Sequence, residues 1–392
     1  MHQYNKLQNK PIEIKNVHTI DDELFIIKKI RLRTIFPIIA KRPFFDATMG
    51  PFQKFKMGIL EITDDEGFTG ECEFPVNEFN LLQDVFAPIL LNNTSLSYKK
   101  LHEKLYWNIR NDGFRGNSAL ALGHLDRVFY DLAAKRNNQP LYQYLGVNQS
   151  FVEAYGSGGG TNLQGDELLK ECLKWEKDGY DIIKMKFGGL HTSIKEDIDR
   201  ICFVRNLLKP ETKLAVDANQ SMSLKKSLEF VKALEGLDIA WLEEPIHSAS
   251  LKEIAILCKA SSVPISYGES ERSSKVFPSI VDAGVKHLQP IVGHISCFKD
   301  WLEIGKMALE KKLQFSGGGN SFYNCQFVAA AGNGVILEYL EPVMAAFAEV
   351  FLTKPTVKHG QFHFPDAPGL GITIDWKRLE KEKRIIDDKI WK

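Results

Sequence analysis

The chain has 392 residues, its 50 basic and 50 acidic side chains balance to zero net charge, and 44% of it is hydrophobic. That length exceeds one ordinary domain and fits a barrel with an accessory domain, with enough apolar residues for a large core. Balanced charge without a Lys/Arg block argues against a nucleic-acid binder, no apolar run reaches the roughly 20 residues of a membrane span, and the polar N-terminus lacks a signal-peptide core.

The six cysteines, Cys72, Cys172, Cys202, Cys258, Cys297 and Cys325, form no Cys-x-x-Cys. Reduced, packed thiols in a cytoplasmic protein are expected.

Residues 1–20 read as a polar extension. Strands are predicted at Lys28–Phe36, Met57–Ile62 and Phe68–Phe74, the last after the turn Thr63-Asp-Asp-Glu-Gly. The segment 37–54 between the first two reads as a long loop rich in Phe, Pro and Gly, and loops of that length are often functional. Helical patterns fill Leu81 to Gly146, most clearly at Ala119–Lys135. Residues 1–146 are thus expected to form an α+β domain. From Val152 strands and helices alternate. Strands are predicted at Val152–Ser157, Ile182–Phe187, Lys213–Asp217, Ile239–Glu243, Pro264–Glu269, His287–Pro290, Leu313–Ser316 and Val335–Tyr339, with amphipathic helices such as Leu224–Leu234 between them. Eight evenly spaced strands point to an α/β closed parallel barrel over residues 147–355. Residues 356–392 are too short for a domain and are expected to pack back on the first one.

Asp217, Glu243 and Glu269 each close an apolar run, and each lies 26 residues from the next. One strand plus its crossover helix takes about that many residues, so three successive parallel strands would end in a carboxylate. Barrel strand ends converge at the C-terminal face, where catalytic residues sit. Three converging carboxylates stay ionised only if a cation joins them, and oxygen-only ligation favours Mg²⁺. The preceding strand carries Lys184 and Lys186, an i, i+2 pair that faces one way.

Lys184-Met185-Lys186, Val216-Asp217-Ala218-Asn219-Gln220, Trp241-Leu242-Glu243-Glu244-Pro245, Gly268-Glu269-Ser270 and Pro368-Gly369-Leu370-Gly371-Ile372 resemble the motifs of the enolase superfamily, mandelate racemase subgroup, over about residues 28–376. The resemblance implies an N-terminal α+β capping domain and a modified TIM barrel, (β/α)₇β. It implies one Mg²⁺ per subunit on Asp217, Glu243 and Glu269. Lys186 would be the base that removes the proton α to a carboxylate, assisted by Lys184. Superfamily sites that pair a Lys or His base with Mg²⁺ are a standard example of such chemistry. Physically, losing that proton places a second negative charge beside the first, and cations must stabilise it. Lys184 and Mg²⁺ together are also expected to lower the Lys186 pKa, as a base near neutrality requires. Glu338 matches a family position that hydrogen-bonds the substrate carboxylate as an acid. Asn219 and Arg42 (or Lys41) are expected to contact substrate, the latter from a capping loop that closes over it.

The subgroup's usual second acid/base, a His–Asp dyad, is missing. Ile291 stands at the Asp position and Gly317 or Gly318 at the His position. The lysine that the muconate-lactonizing pattern places near Ile291 is absent too. One-base chemistry remains, most simply β-elimination of water from an acid sugar. Lys186 itself, His294 or a metal-bound water would be the acid, while His247 and His287 read as packing or helix-start residues. Gly318, within Gly317–Gly319 before a helix start, is expected to meet a polar end of the substrate. The alternatives are a racemase or epimerase with an unusual second base, and a metal-binding member that has lost catalysis. A small-molecule carboxylate substrate and a homo-oligomer are expected.

Overall fold

In the computed structural model, residues 17–113, 116–188, 192–332 and 334–392 are described, so the polar extension lies outside them up to residue 16. β1 (Ile27–Phe44), β2 (Phe52–Asp64) and β3 (Thr69–Phe74) form an antiparallel sheet, and the terminal strand Ile385–Trp391 adds to the free edge of β1. β3 alternates as a one-sided strand should, with Gly70, Cys72 and Phe74 turned inward.

The expected loop 37–54 is mostly strand. β1 and β2 pair as far as Phe44 opposite Phe52, leaving 45–51 as the connection. Register shifts between Ile35 and Ile38 and between Ile39 and Phe44 bracket Pro37 and Pro43. Proline cannot donate to a ladder and is tolerated at such irregularities, so the prolines interrupt the sequence pattern without ending the strand.

Helix Asn117–Arg136 is buried on nearly every side, from Ala119 to Ala134. A helix without a polar face must lie between two layers, here the sheet and the barrel. Gly123 permits this, since a β-carbon there would stand 2.1 Å from the Ile295 carbonyl oxygen of the barrel. Buried Asp126 joins the layers by accepting from Tyr98 Oη at 2.6 Å and from the Phe298 amide at 2.8 Å.

The barrel strands are β4 (Phe151–Gly158), β5 (Ile182–Lys186), β6 (Lys213–Asp217), β7 (Ile239–Glu243), β8 (Ile265–Tyr267), β9 (His287–Leu288), β10 (Gln314–Gly317) and β11 (Ile336–Leu340). Neighbours pair in parallel in that order, and β11 pairs in parallel with β4 to close the ring. β8 stops at Tyr267, so Glu269 lies two residues beyond the strand that was expected to end in it. Gly268 turns the chain there at φ +145°, so close to β9 that a β-carbon would stand 2.9 Å from the Gln289 backbone. The C-terminal segment is shared between the two layers. Gln361–His363 pairs antiparallel with β4, while Ile385–Trp391 joins β1. Among the described residues no helix is long and apolar enough to cross a membrane.

Candidate active site

Register builds the site. Lys186 on β5 pairs level with Asp217 on β6, and Asp217 pairs level with Glu243 on β7. Period-two geometry sends Lys184 to the same side as Lys186. Lys184 is completely buried. Its Nζ lies 2.5 Å from Glu243 Oε1, 2.8 Å from Glu338 Oε1 and 3.3 Å from Asp217 Oδ2. Lys186 Nζ pairs with Asp217 Oδ2. Three groups that the sequence reading did not single out complete the arrangement. Gln289 Nε2 and Trp241 Nε1 donate to Glu243 at 3.2 and 3.0 Å, and Ser157 Oγ donates to Glu338 at 2.7 Å. Gln289 was visible only as part of the Gln-Pro marker, and Ser157 only as the end of a strand.

The electrostatics follow from buried Asp217, Glu243 and Glu338 and partly buried Glu269 near two ammonium groups, with buried Glu244 beside them. Burial pushes Asp217 up, but Lys186 and Lys184 outweigh it and hold the group low. Burial and then Asp217 push Glu243 well above the ordinary carboxyl range. Burial, Glu244 and Asp217 raise Glu269 to about 8, and burial raises Glu244 to about 7.

Burial and Lys184 pull Lys186 downward, the direction expected of Lys184, while the Asp217 carboxylate in contact with it pulls the other way and prevails, so its pKa is raised. For Glu338, burial pushes upward but Lys184 and Lys186 prevail, so its pKa is lowered.

Among the described residues no three Asp, Glu, His or Cys side chains are arranged as a ready metal cage, and Asp217 and Glu243 are turned onto the lysines. The donor chemistry nevertheless fits a hard divalent cation. Asp217, Glu243 and Glu269 are oxygen donors from three adjacent strand ends. Burial first, and then neighbouring carboxylates, raise Glu243 and Glu269, and a hard cation would offset that like-charge repulsion.

The other candidates divide. The Asn219 amide donates to Asp217 Oδ1 at 2.9 Å, and its side-chain oxygen accepts from the Ala47 amide at 3.4 Å, joining the β1–β2 tip to the site. Arg42 is ion-paired with Glu171 on helix Gly165–Lys177, which fastens the hairpin to the barrel. His294 Nδ1 lies 3.1 Å from the Glu269 carbonyl oxygen. Burial and then Arg272 pull its pKa down to about 3, so it is a neutral imidazole and not a charged acid. His287 is buried inside the barrel, bonded to Ser316 Oγ at 2.9 Å, and His247 accepts from the Ala249 amide at 3.1 Å within a turn.

The place of the missing dyad is filled. A β-carbon on Gly318 would stand 3.0 Å from Glu338 Oε2 and 3.7 Å from Ile291 Cγ1, and one on Gly319 2.7 Å from Ile291 Cγ2. Ile291 therefore lies over the glycines as an apolar wall. The capping layer pins this loop. Arg127 pairs with Glu73 at 3.2 Å and donates to Asn324 Oδ1 at 2.6 Å, and Asn324 Nδ2 donates to the Gly318 carbonyl at 2.8 Å.

A closed parallel barrel under an antiparallel cap, with buried lysines and carboxylates, defines a class of capped barrels with a charged cluster at the strand ends. Residues 167–378, more than half of the chain, match the family described as enolase C-terminal domain-like, and the protein belongs to the enolase superfamily. It is 29% identical over 300 residues to an arabinonate dehydratase of Saccharolobus solfataricus, covering 75% of this chain and 80% of that protein. It is 26% identical over 345 residues to an L-talarate/galactarate dehydratase of Salmonella typhimurium, covering 85% of each. A racemase from Streptomyces coelicolor, solved with bound magnesium, shares the fold with TM-score 0.83 at 23% identity, over 91% of this chain and 99% of that one. Its relatives thus include dehydratases and racemases, as well as cycloisomerases.

Proposed function

We propose that the protein removes the proton α to the carboxylate of an acid sugar and eliminates water from it, with Lys186 as the base and Mg²⁺ as cofactor. The observation that carries this reading is the buried lysine pair among the carboxylates, faced by a wall of Ile291 and glycine that offers no second base. Similarity to two acid-sugar dehydratases supports the substrate class.

Asp217, Glu243 and Glu269 would hold Mg²⁺, which supplies positive charge to the substrate carboxylate oxygens where negative charge develops. Lys186 Nζ takes the α-proton. Asp217 is what keeps Lys186 protonated, and burial and Lys184 pull the other way. Once Asp217 serves as a ligand, its hold on Lys186 weakens and the amine can act as base. The uncharged wall leaves Lys186 to return its proton to the departing β-hydroxyl on the same face. The α C–H and β C–O bonds break, a C=C bond forms, water leaves, and the enol becomes a 2-keto-3-deoxy acid. Lys184, held among Glu243, Glu338 and Asp217, keeps a fixed positive charge beside the reacting carboxylate.

Acid sugars offered in deuterated water test this. The 2-keto-3-deoxy product is expected from the wild type. Lys186→Ala should lose both product and α-proton exchange while keeping its affinity for Mg²⁺. Exchange accompanied by a diastereomer would instead make the protein an epimerase, and neither product nor exchange would make it a binder. Exchange at the wild-type rate in the variant would move the base elsewhere.

A further inference from the structure

Glu243 is held by two kinds of donor. Lys184 brings a charge that it shares with Glu338 and Asp217. The other two donors are neutral and divide the carboxylate between them. Gln289 Nε2 donates to Oε1 at 3.2 Å, and Trp241 Nε1 donates to Oε2 at 3.0 Å. A directed donor on each oxygen fixes the plane of a carboxylate as well as its position.

Both donors are themselves held. Gln289 Nε2 also donates to Tyr155 Oη at 2.9 Å, and its Oε1 accepts from Ser266 Oγ at 3.2 Å. Turning the amide over would set its oxygen against the Glu243 carboxylate, acceptor against acceptor. The Trp241 indole makes edge contacts with the Tyr155 and His287 rings, at centroid distances of 5.3 and 4.5 Å. Trp241 precedes Glu243 by two residues on β7, so strand geometry alone turns both to one side. Tyr155, Trp241, Ser266 and Gln289 are all buried, and they come from β4, β7, β8 and the residue just after β9. Interior layers of such barrels are dominated by branched apolar side chains. A buried amide is costly there unless it is satisfied, and Gln289 uses both its amide protons and its oxygen.

We propose that Gln289 and Trp241 are positioning residues for Glu243, setting its carboxylate for a small divalent cation and so favouring Mg²⁺ over Ca²⁺. An ammonium group on the same oxygens competes with a cation, whereas amide and indole N–H groups orient the carboxylate and leave its charge available. Mg²⁺ demands near-ideal octahedral geometry and Ca²⁺ tolerates a loose one, so a carboxylate released to rotate loses more affinity for Mg²⁺. This rests on the reading of Glu243 as a Mg²⁺ ligand. The test is calorimetric titration of the full chain with magnesium chloride and, separately, with calcium chloride. Gln289→Met keeps an unbranched side chain and loses the amide, and Trp241→Phe keeps a ring and loses the N–H. Each should weaken Mg²⁺ binding at least about tenfold and Ca²⁺ binding less, so that the ratio of the two affinities falls. Trp175→Phe is the control. It removes a bond of the same kind, Trp175 Nε1 to Glu341 Oε2 at 2.7 Å, from the outer helix Gly165–Lys177, and should leave both affinities unchanged. Circular dichroism checks that the variants are folded. A variant that only loosened the fold would lower both affinities alike. That outcome, or wild-type Mg²⁺ affinity in either variant, overturns the proposal. The ligand reading fails separately. A Glu243→Gln protein that binds Mg²⁺ as the wild type does removes that reading and this proposal with it. Loss of Mg²⁺ in Glu243→Gln, with wild-type affinity in Gln289→Met and Trp241→Phe, refutes the positioning alone.

Discussion

Lys184→Met removes one cation from a buried set of three carboxyls and keeps the side-chain bulk. The two shortest contacts, to Glu243 at 2.5 Å and Glu338 at 2.8 Å, are each worth roughly 6 kcal/mol gross at an effective dielectric of about 20. Desolvation of the ammonium offsets much of that, and removing one partner of a buried pair typically costs about 3–5 kcal/mol. The loss should depend on pH. Burial pushes Glu338 upward and the lysines pull it below its ordinary value. In the wild type it therefore contributes stability above the unfolded-state pKa, which is lost as pH falls. Without Lys184 burial dominates and the folded-state pKa rises. Ionised Glu338 then destabilises the variant as pH increases. Urea unfolding with a chelator present, at about pH 5 and about pH 8, should show the larger loss at the higher pH. A loss under about 1 kcal/mol, or one equal at both pH values, would refute the electrostatic account of the site.

Asp217→Asn and Glu243→Gln should each weaken Mg²⁺ binding at least about tenfold in calorimetry while leaving the far-ultraviolet dichroism of the barrel unchanged, because rim residues do not carry the core. Unchanged affinity in both would remove them as ligands. The metal-free protein should also lose stability with rising pH. Glu71 and Glu244 are raised to about 7 and Glu269 to about 8, in each case chiefly by burial. A carboxyl raised in the folded state binds protons that the unfolded chain has released, so these three destabilise the fold from about pH 4.5 to about pH 8. Thermal midpoints followed across that window should fall, and Mg²⁺ should flatten the upper part. A rising midpoint would contradict the burial of these groups.

The placement of the candidate site residues was legible because it obeys periodicity. The 26-residue interval brought Asp217 and Glu243 to adjacent strand ends with Glu269 just beyond the next, and the i, i+2 spacing put Lys184 and Lys186 on one side, both consequences of strand geometry. The absence of a dyad could also be read, since Ile291 and Gly318 are identities rather than contacts. Element ends were less legible. Pro37 and Pro43 hid the outer half of a hairpin whose ladder is held by partners elsewhere in the chain, and Gly268 ended β8 before Glu269 because it packs on the Gln289 backbone. Charge balance depended wholly on the tertiary structure. The downward pull of Lys184 on Lys186 could be read from one strand, but the opposing pull of Asp217 comes from the next one, and the Glu338 pKa is lowered by a lysine 154 positions away in sequence. Arg42 turned to Glu171 for the same reason. Local sequence sets which face a side chain takes, whereas its partner is set by distance in space, and Coulomb energy depends on that distance and on burial.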